Sequence, residues 1–134
     1  MKSILKTTIF TAILWLTTFT VSGQANLTIV NNSMRSMTVK VMQEYGASVF
    51  LYKTVTIGAN SRNTIYFDES GNYFTKTKAV ITGRDPVYRK GELFEVINNS
   101  SGYSEMTLTF TIVESAISQA SGGKPISESE FNRN

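Results

Sequence analysis

The chain has 134 residues, 13 Lys and Arg against 10 Asp and Glu, 41% hydrophobic residues, and neither cysteine nor histidine. The lack of cysteine excludes disulfides, and the lack of both residue types removes the best ligands for zinc, copper and iron. It also removes the cysteine nucleophile and the histidine that usually activates a serine. We therefore expect a domain without a metal or cofactor.

The first 23 residues predict a cleaved secretory signal peptide. Two lysines precede an apolar run over residues 8–19, and small residues follow. This order of charge, apolar run and small residues is typical of export signals. The run is shorter than the roughly 20 apolar residues of a transmembrane helix. We expect cleavage after Gly23, or alternatively after Ala25, and a secreted or periplasmic protein of bacterial origin.

Removal of the signal changes the charge of the chain. Lys2 and Lys6 leave with it, so 11 basic and 10 acidic side chains remain, a net charge of +1, and the only tryptophan, Trp15, is also lost. A nearly neutral domain gives no reason to expect a nucleic-acid partner. No later segment is long and apolar enough to suggest a membrane span.

Residues 24–114 predict an all-β domain. Apolar and polar residues alternate with period two in short runs that are separated by turns rich in Asn, Asp and Gly. Strands at this spacing predict a single antiparallel β-sandwich of about seven strands, immunoglobulin-like in size. The runs are Asn26–Val30, Arg35–Met42, Ser48–Ile57, Arg62–Phe67, Asn72–Thr82, Glu92–Ile97 and Glu105–Val113.

Three runs predict which side chains face the core. In Glu105–Val113 these are Met106, Leu108, Phe110 and Ile112, and in Arg35–Met42 they are Met37, Val39 and Val41. In Ser48–Ile57 the alternation places Val49, Leu51, Val55 and Ile57 on one face. The opposite face carries Phe50 and Tyr52, so this run is either a central strand or, together with Phe74, an exposed aromatic patch for a protein partner.

Residues 115–134 predict a flexible tail. Residues 115–124 have the small, polar composition of a linker. Further on, Ser127 and Glu130 have the spacing of a capping box, so one helical turn could form. Ile126 and Phe131 would be the apolar anchors if this segment docked on a partner.

A basic cluster is the best candidate binding site in the sequence. Lys76 and Lys78 lie two apart on a predicted strand and therefore on one face, and a basic connection follows them. With two nearby tyrosines, this cluster would suit an acidic glycan or another acidic partner. The alternative interpretation is an edge strand guarded by lysine against aggregation. The candidate residues are Lys76, Lys78, Arg84, Arg89, Lys90, Tyr73 and Tyr88.

The sequence favours binding over catalysis. No Gly-x-Ser-x-Gly elbow is present, and the acidic turn Asp68–Asn72 lacks the twelve-residue pattern of a calcium loop. We expect a non-enzymatic binding or interaction domain for an unknown protein or envelope component. The alternatives are a glycan- or small-ligand-binding module with Tyr66, Tyr73, Tyr88 or Tyr103, and a hydrolase that uses two carboxylates.

Overall fold

The structure is a computed structural model that describes residues 14–16, 24–114 and 119–134. Most of the predicted signal peptide, including the expected cleavage site after Gly23, lies outside the described residues. The first part of the predicted tail, residues 115–118, does so as well. Among the described residues, no helix is long and apolar enough to cross a bilayer.

The described residues form twelve strands and one short helix. The strands are β1 (Leu14–Leu16), β2 (Asn26–Asn32), β3 (Ser36–Tyr45), β4 (Ser48–Ile57), β5 (Arg62–Tyr66), β6 (Gly71–Val80), β7 (Val87–Lys90), β8 (Phe94–Val96), β9 (Asn98–Asn99), β10 (Gly102–Val113), β11 (Gln119–Ser121) and β12 (Lys124–Pro125); the helix is α1 (Glu128–Asn132). The domain is therefore mostly β, as the alternation predicts.

The strands are arranged in two six-stranded sheets. Sheet A has the order β1-β10-β2-β5, and β9 and β11 also pair with β10. Sheet B has the order β12-β7-β6-β3-β4, and β8 also pairs with β6. Buried side chains from both sheets join in one hydrophobic core. The long strands β3 and β6 lie at the centre of sheet B, so their outward side chains form the middle of its outer face.

The expectation of a purely antiparallel fold is wrong at one pairing. β2 and β10 run parallel over seven residue pairs, from Asn26 opposite Glu105 to Asn32 opposite Thr111. Parallel neighbours need a long connection, and here nearly the whole domain lies between the two strands. The sequence does not reveal this pairing, because period-two alternation is the same for both strand directions.

Two of the predicted core faces are confirmed. Met106, Leu108, Phe110 and Ile112 of β10 are all buried. Met37, Val39 and Val41 of β3 are buried as well. In both strands one face is turned to the core, and regular alternation was enough to identify it.

The predicted face of β4 is wrong because the strand contains a bulge. Val41 is opposite Lys53, whereas Met42 is opposite Leu51, so Tyr52 has no partner of its own on β3. Such an extra residue shifts the alternation by one position. Tyr52 packs against the core and stacks on Phe67 at 5.5 Å between ring centroids.

The bulge divides the predicted apolar face of β4 between the two sides of the sheet. Ile57 is buried and Val55 packs against the core, but Val49 and Leu51 are 38% and 39% exposed. Phe50 is 52% exposed, as a partner surface would require, whereas Phe74 is only 7% exposed. The predicted aromatic patch is therefore not a single surface.

The C-terminal segment, residues 119–134, packs against the domain, whereas the sequence predicts a flexible tail. β11 pairs with β10 in sheet A, and β12 pairs with β7 in sheet B, so the segment joins the two sheets. It changes sheets at Gly122 and Gly123, whose φ angles of 115° and 76° favour glycine. The glycines that make residues 115–124 look like a linker are thus the residues that let the chain pass from sheet A to sheet B.

A buried ion pair joins the beginning of β3 to the end of β10. Arg35 is 1% exposed, and its Nε donates to Glu114 Oε2 at 2.7 Å. Its Nη1 donates to the carbonyl oxygens of Ala79 at 3.2 Å and Asp85 at 2.7 Å. Buried guanidinium groups need such partners, so Arg35 is a structural residue.

Candidate functional site

Three lysines lie side by side on the outer face of sheet B. Lys40 on β3 is directly opposite Lys76 on β6, and Lys76 is directly opposite Lys90 on β7. Directly opposed residues of neighbouring strands point to the same face, and like charges in this arrangement destabilise a sheet. We call these three residues the lysine row. Its charges require compensation from another part of the chain or from a ligand.

The end of helix α1 supplies part of this compensation. Lys76 Nζ donates to the carbonyl oxygen of Glu130 at 2.8 Å and also to that of Arg133. Lys40 Nζ donates to the carbonyl oxygen of Phe131 at 2.9 Å and to Asn134 Oδ1 at 2.7 Å. The last carbonyl groups of a helix have no partner within it and carry the negative end of its dipole, so they attract cations.

Helix α1 is short, and its ends and one aromatic side chain hold it in place. Ser127 is the N-cap, and its hydroxyl accepts a hydrogen bond from the Glu130 amide at 3.1 Å. Phe131 is buried beside Tyr88, with ring centroids 5.6 Å apart. Lys40 Nζ lies over the Phe131 ring, 4.7 Å from its centroid, and makes a cation–π contact with it. A helix of five residues depends on such tertiary contacts.

A cleft of about 190 Å³ lies between the end of the C-terminal segment and β4. Its apolar lining consists of Met42, Val49 and Phe74. The charged side chains that line it are Lys76, Lys90, Arg133 and Glu130. Cationic groups thus outnumber the acidic ones among the described side chains of the cleft, and they meet an apolar floor.

Lys76 and Lys90 have different roles in this cleft. Lys76 is 5% exposed; burial lowers its pKa, the charges of Lys40 and Arg133 lower it further, and Glu130 acts in the opposite direction. Its Nζ already donates to two carbonyl groups. Lys90 Nζ is 3.7 Å from Glu130 Oε2, which is longer than a direct hydrogen bond. Lys90 can therefore turn to a ligand more easily than Lys76 can.

The structure brings most of the predicted site residues to the C-terminal segment. Lys76, Lys90 and Tyr88 contact helix α1, as described above. Arg89 donates to the carbonyl oxygens of Gly122 at 3.0 Å and Gly123 at 2.5 Å. Much of the predicted basic cluster therefore holds this chain's own C-terminal segment.

The other three predicted site residues lie elsewhere or contribute less. Lys78 is on the same face, with its Nζ 6.0 Å from the Tyr88 ring centroid. Arg84 lies 3.7 Å from Glu114, beside the buried ion pair and away from the cleft. Tyr73 is completely buried, and its hydroxyl donates to the Glu69 carbonyl oxygen, so it offers no surface to a ligand.

Sequence reasoning missed Lys40 and Arg133. Lys40 follows the outward alternation of β3, but nothing local shows that β3 lies beside β6. Arg133 belongs to the predicted flexible tail and reaches the cleft only because helix α1 docks. In both cases the missing information is a contact between distant parts of the chain.

A second cavity, of about 280 Å³, lies on the outer face of sheet A and is mainly polar. Glu105, Asn26 and Tyr66 form one row across β10, β2 and β5, and Thr107, Thr28 and Thr64 form the next. Tyr66 is 48% exposed. Hydroxyl, amide and carboxylate groups beside an exposed aromatic ring suit a neutral polar ligand such as a sugar.

Neither a metal centre nor a known relative explains these sites. No group of three or more Asp and Glu that could hold a metal ion occurs in the parts of the chain that the structure describes. A comparison of the chain with protein-family models, with curated proteins and with solved structures finds no match. The function is therefore inferred from the geometry of this chain alone.

Proposed function

We propose that this chain is a non-enzymatic binding domain, secreted or periplasmic, that takes an acidic ligand in the cleft beside the lysine row. The arrangement of two sheets around one core supports a sandwich of immunoglobulin-like size. The outer face of sheet B is the binding surface of this sandwich.

The observation that carries the proposal is the convergence of cations on the cleft. Lys76, Lys90 and Arg133 line it, and Lys40 lies next to Lys76 in the same row. Glu130 is the one acidic side chain among the described lining residues. An excess of fixed positive charge at a concave site raises the local concentration of anions and favours their binding.

Helix α1 compensates the positive charge of the lysine row only in part, so an acidic ligand can supply the rest. Helix α1 and the residues directly after it satisfy Lys40 and Lys76 through uncharged carbonyl and amide oxygens. Its one carboxylate in the cleft, Glu130, is 3.7 Å from Lys90. Lys90 and Arg133 therefore remain as the groups that a phosphate or carboxylate would meet.

A nuclear magnetic resonance titration of the purified protein with butyl phosphate tests this proposal, and butanol is the uncharged control. We expect amide shifts that cluster around the cleft and weaken at high salt, because part of the attraction is screened. Lys90→Gln should reduce the affinity several-fold, whereas Lys53→Gln, an exposed lysine on β4, should leave it unchanged. Shifts equal to those with butanol, or an undiminished affinity in Lys90→Gln, would refute the proposal.

A second candidate function is glycan binding at the polar cavity of sheet A. The exposed Tyr66 ring beside Thr28, Thr64 and Thr107 favours it. Tyr66→Ala should then abolish retention on an immobilised glycan array, while Lys90→Gln should not affect it. Retention that is the same in both variants and in the unaltered protein would exclude the Tyr66 face.

A further inference from the structure

An apolar row crosses sheet B directly beside the lysine row. Phe74 on β6 is opposite Met42 on β3, and Met42 is opposite Leu51 on β4. We call these three residues the apolar row. Lys76 is two positions from Phe74 along β6, a distance of about 7 Å. Charged and apolar groups thus form adjacent bands on one face of the sheet.

The bulge in β4 is what extends the apolar band to the surface. It turns Leu51 outward, and Val49 also points to this side and lines the cleft. Both side chains are more than a third exposed. Met42 and Phe74 form a buried floor between them and the lysine row. The apolar surface therefore begins inside the cleft and continues outside it.

Charged and apolar groups also meet within the cleft itself. Lys90 Nζ lies 4.9 Å from the centroid of the Phe74 ring. A ligand whose acidic group contacts Lys90 therefore has its next atoms over Phe74. A purely polar anion would leave this apolar floor in contact with water, whereas an alkyl chain would cover it.

We infer that the cleft binds a single acidic amphiphile, with a phosphate or carboxylate head at Lys90 and Arg133 and an alkyl chain along the apolar row. This inference rests on the proposed function. From β6 to β4 the apolar row spans two strand spacings, about 9.5 Å, which an extended chain of about eight carbons covers. The cleft volume of about 190 Å³ is below the roughly 300–1,000 Å³ of complete ligand pockets, so part of the chain lies on the exposed Leu51.

The test measures how the affinity of the purified protein depends on chain length. Inorganic phosphate, butyl phosphate and octyl phosphate are titrated by calorimetry below the micelle concentration, with octyl glucoside as the uncharged amphiphile. One fully buried methylene contributes about 0.8 kcal/mol, or roughly fourfold in affinity. Because the end of the apolar row is partly exposed, we expect the affinity to rise about twofold for each added carbon. From butyl to octyl phosphate it should rise at least tenfold.

Matched variants locate the effect on the apolar row. The double variant Val49→Thr, Leu51→Thr places threonine, a β-branched residue that suits a strand, at both positions of β4 and replaces much of their apolar surface with hydroxyl groups. It should remove most of the gain in affinity from butyl to octyl phosphate. Val113→Thr, a substitution at a 56% exposed position of β10, is the control and should keep the full gain.

The outcomes separate this inference from the function on which it rests. Equal affinities for butyl and octyl phosphate would overturn the amphiphile and leave an acidic ligand in place. If no phosphate binds, both proposals fail. Equally tight binding of octyl glucoside would show a merely apolar site. Capture by vesicles of anionic lipid, without binding of monomeric octyl phosphate, would indicate a membrane surface and overturn the single-molecule site.

Discussion

Gly123 gives a direct test of how the C-terminal segment is held. Its φ is 76°, and a Cβ atom at this position would lie 2.2 Å from the Lys90 carbonyl oxygen and 2.7 Å from the Lys90 carbonyl carbon. Both of these atoms belong to the backbone, so no side-chain rotation can relieve the contact. We expect Gly123→Ala to force β12 away from β7.

The cost of this substitution has two parts. A left-handed φ costs an alanine about 1–2 kcal/mol. Separation of β12 from β7 also breaks the hydrogen bonds from Arg89 to the carbonyl oxygens of Gly122 and Gly123. A hydrogen bond from a charged donor contributes about 1.5–3 kcal/mol, and the lower value applies to the half-buried Arg89. The free energy of unfolding should therefore fall by about 4–5 kcal/mol.

Gly83→Ala is the matched control. Gly83 has a φ of 87°, but an added Cβ would meet no atom within 4 Å, so only the backbone cost of about 1–2 kcal/mol applies. Urea denaturation measures both losses. Hydrogen exchange at the Ile126 amide, which donates to the Tyr88 carbonyl oxygen at 3.1 Å, reports whether the segment has left the sheet. Equal losses in the two variants, with Ile126 still protected, would refute this account of the segment.

Three further predictions test the packing around the site. Arg35→Met should lower the free energy of unfolding by about 3 kcal/mol, because it leaves Glu114 without its buried partner. Arg84 is more exposed, so Arg84→Gln should lower the free energy of unfolding by less than about 1 kcal/mol. Equal losses of the two variants in urea denaturation would contradict the assignment of Arg35 as a structural residue. Phe131 is buried, so Phe131→Ala should lower the free energy of unfolding by up to about 3 kcal/mol and speed the cleavage of helix α1 by a Glu-specific protease. An unchanged cleavage rate would argue against the docking of helix α1 on the domain. Burial raises the pKa of Tyr73 above its usual value, so the unfolded chain releases this proton first and stability falls as the pH rises above about 10. Tyr73→Phe should flatten this fall in denaturation series between about pH 9 and pH 11, and an unchanged slope would exclude Tyr73 as its source.

The predictable parts of the fold are those that depend on neighbouring residues. Regular alternation in β10 and β3 identified their buried faces, because each strand has one face on the core and no bulge in that part. The capping spacing of Ser127 and Glu130 marked the start of helix α1 for the same local reason. In β4 the same reasoning failed, since one extra residue, Tyr52, moved Val49 and Leu51 to the outer face.

The candidate site was only partly visible in the sequence. Lys76 and Lys78 could be placed on one face, because they are two residues apart on a strand. The sequence predicts that Arg89 and Lys90 lie in the connection after the strand of Lys76, but in the structure they belong to β7. Lys40 could not be connected with them, since no local pattern shows that β3 pairs with β6.

The amino-acid sequence is enough to predict a β domain without cysteine or histidine, whose net charge is close to zero once the predicted signal is removed. These properties follow from composition and short-range alternation. The packing of the folded chain determines which strands are neighbours, and it thereby places Lys40, Lys76 and Lys90 in one row with helix α1 in contact with all three. Strand pairing and tail docking are chosen by the packing of distant segments around a shared core, and alternation within one strand carries no information about its partner.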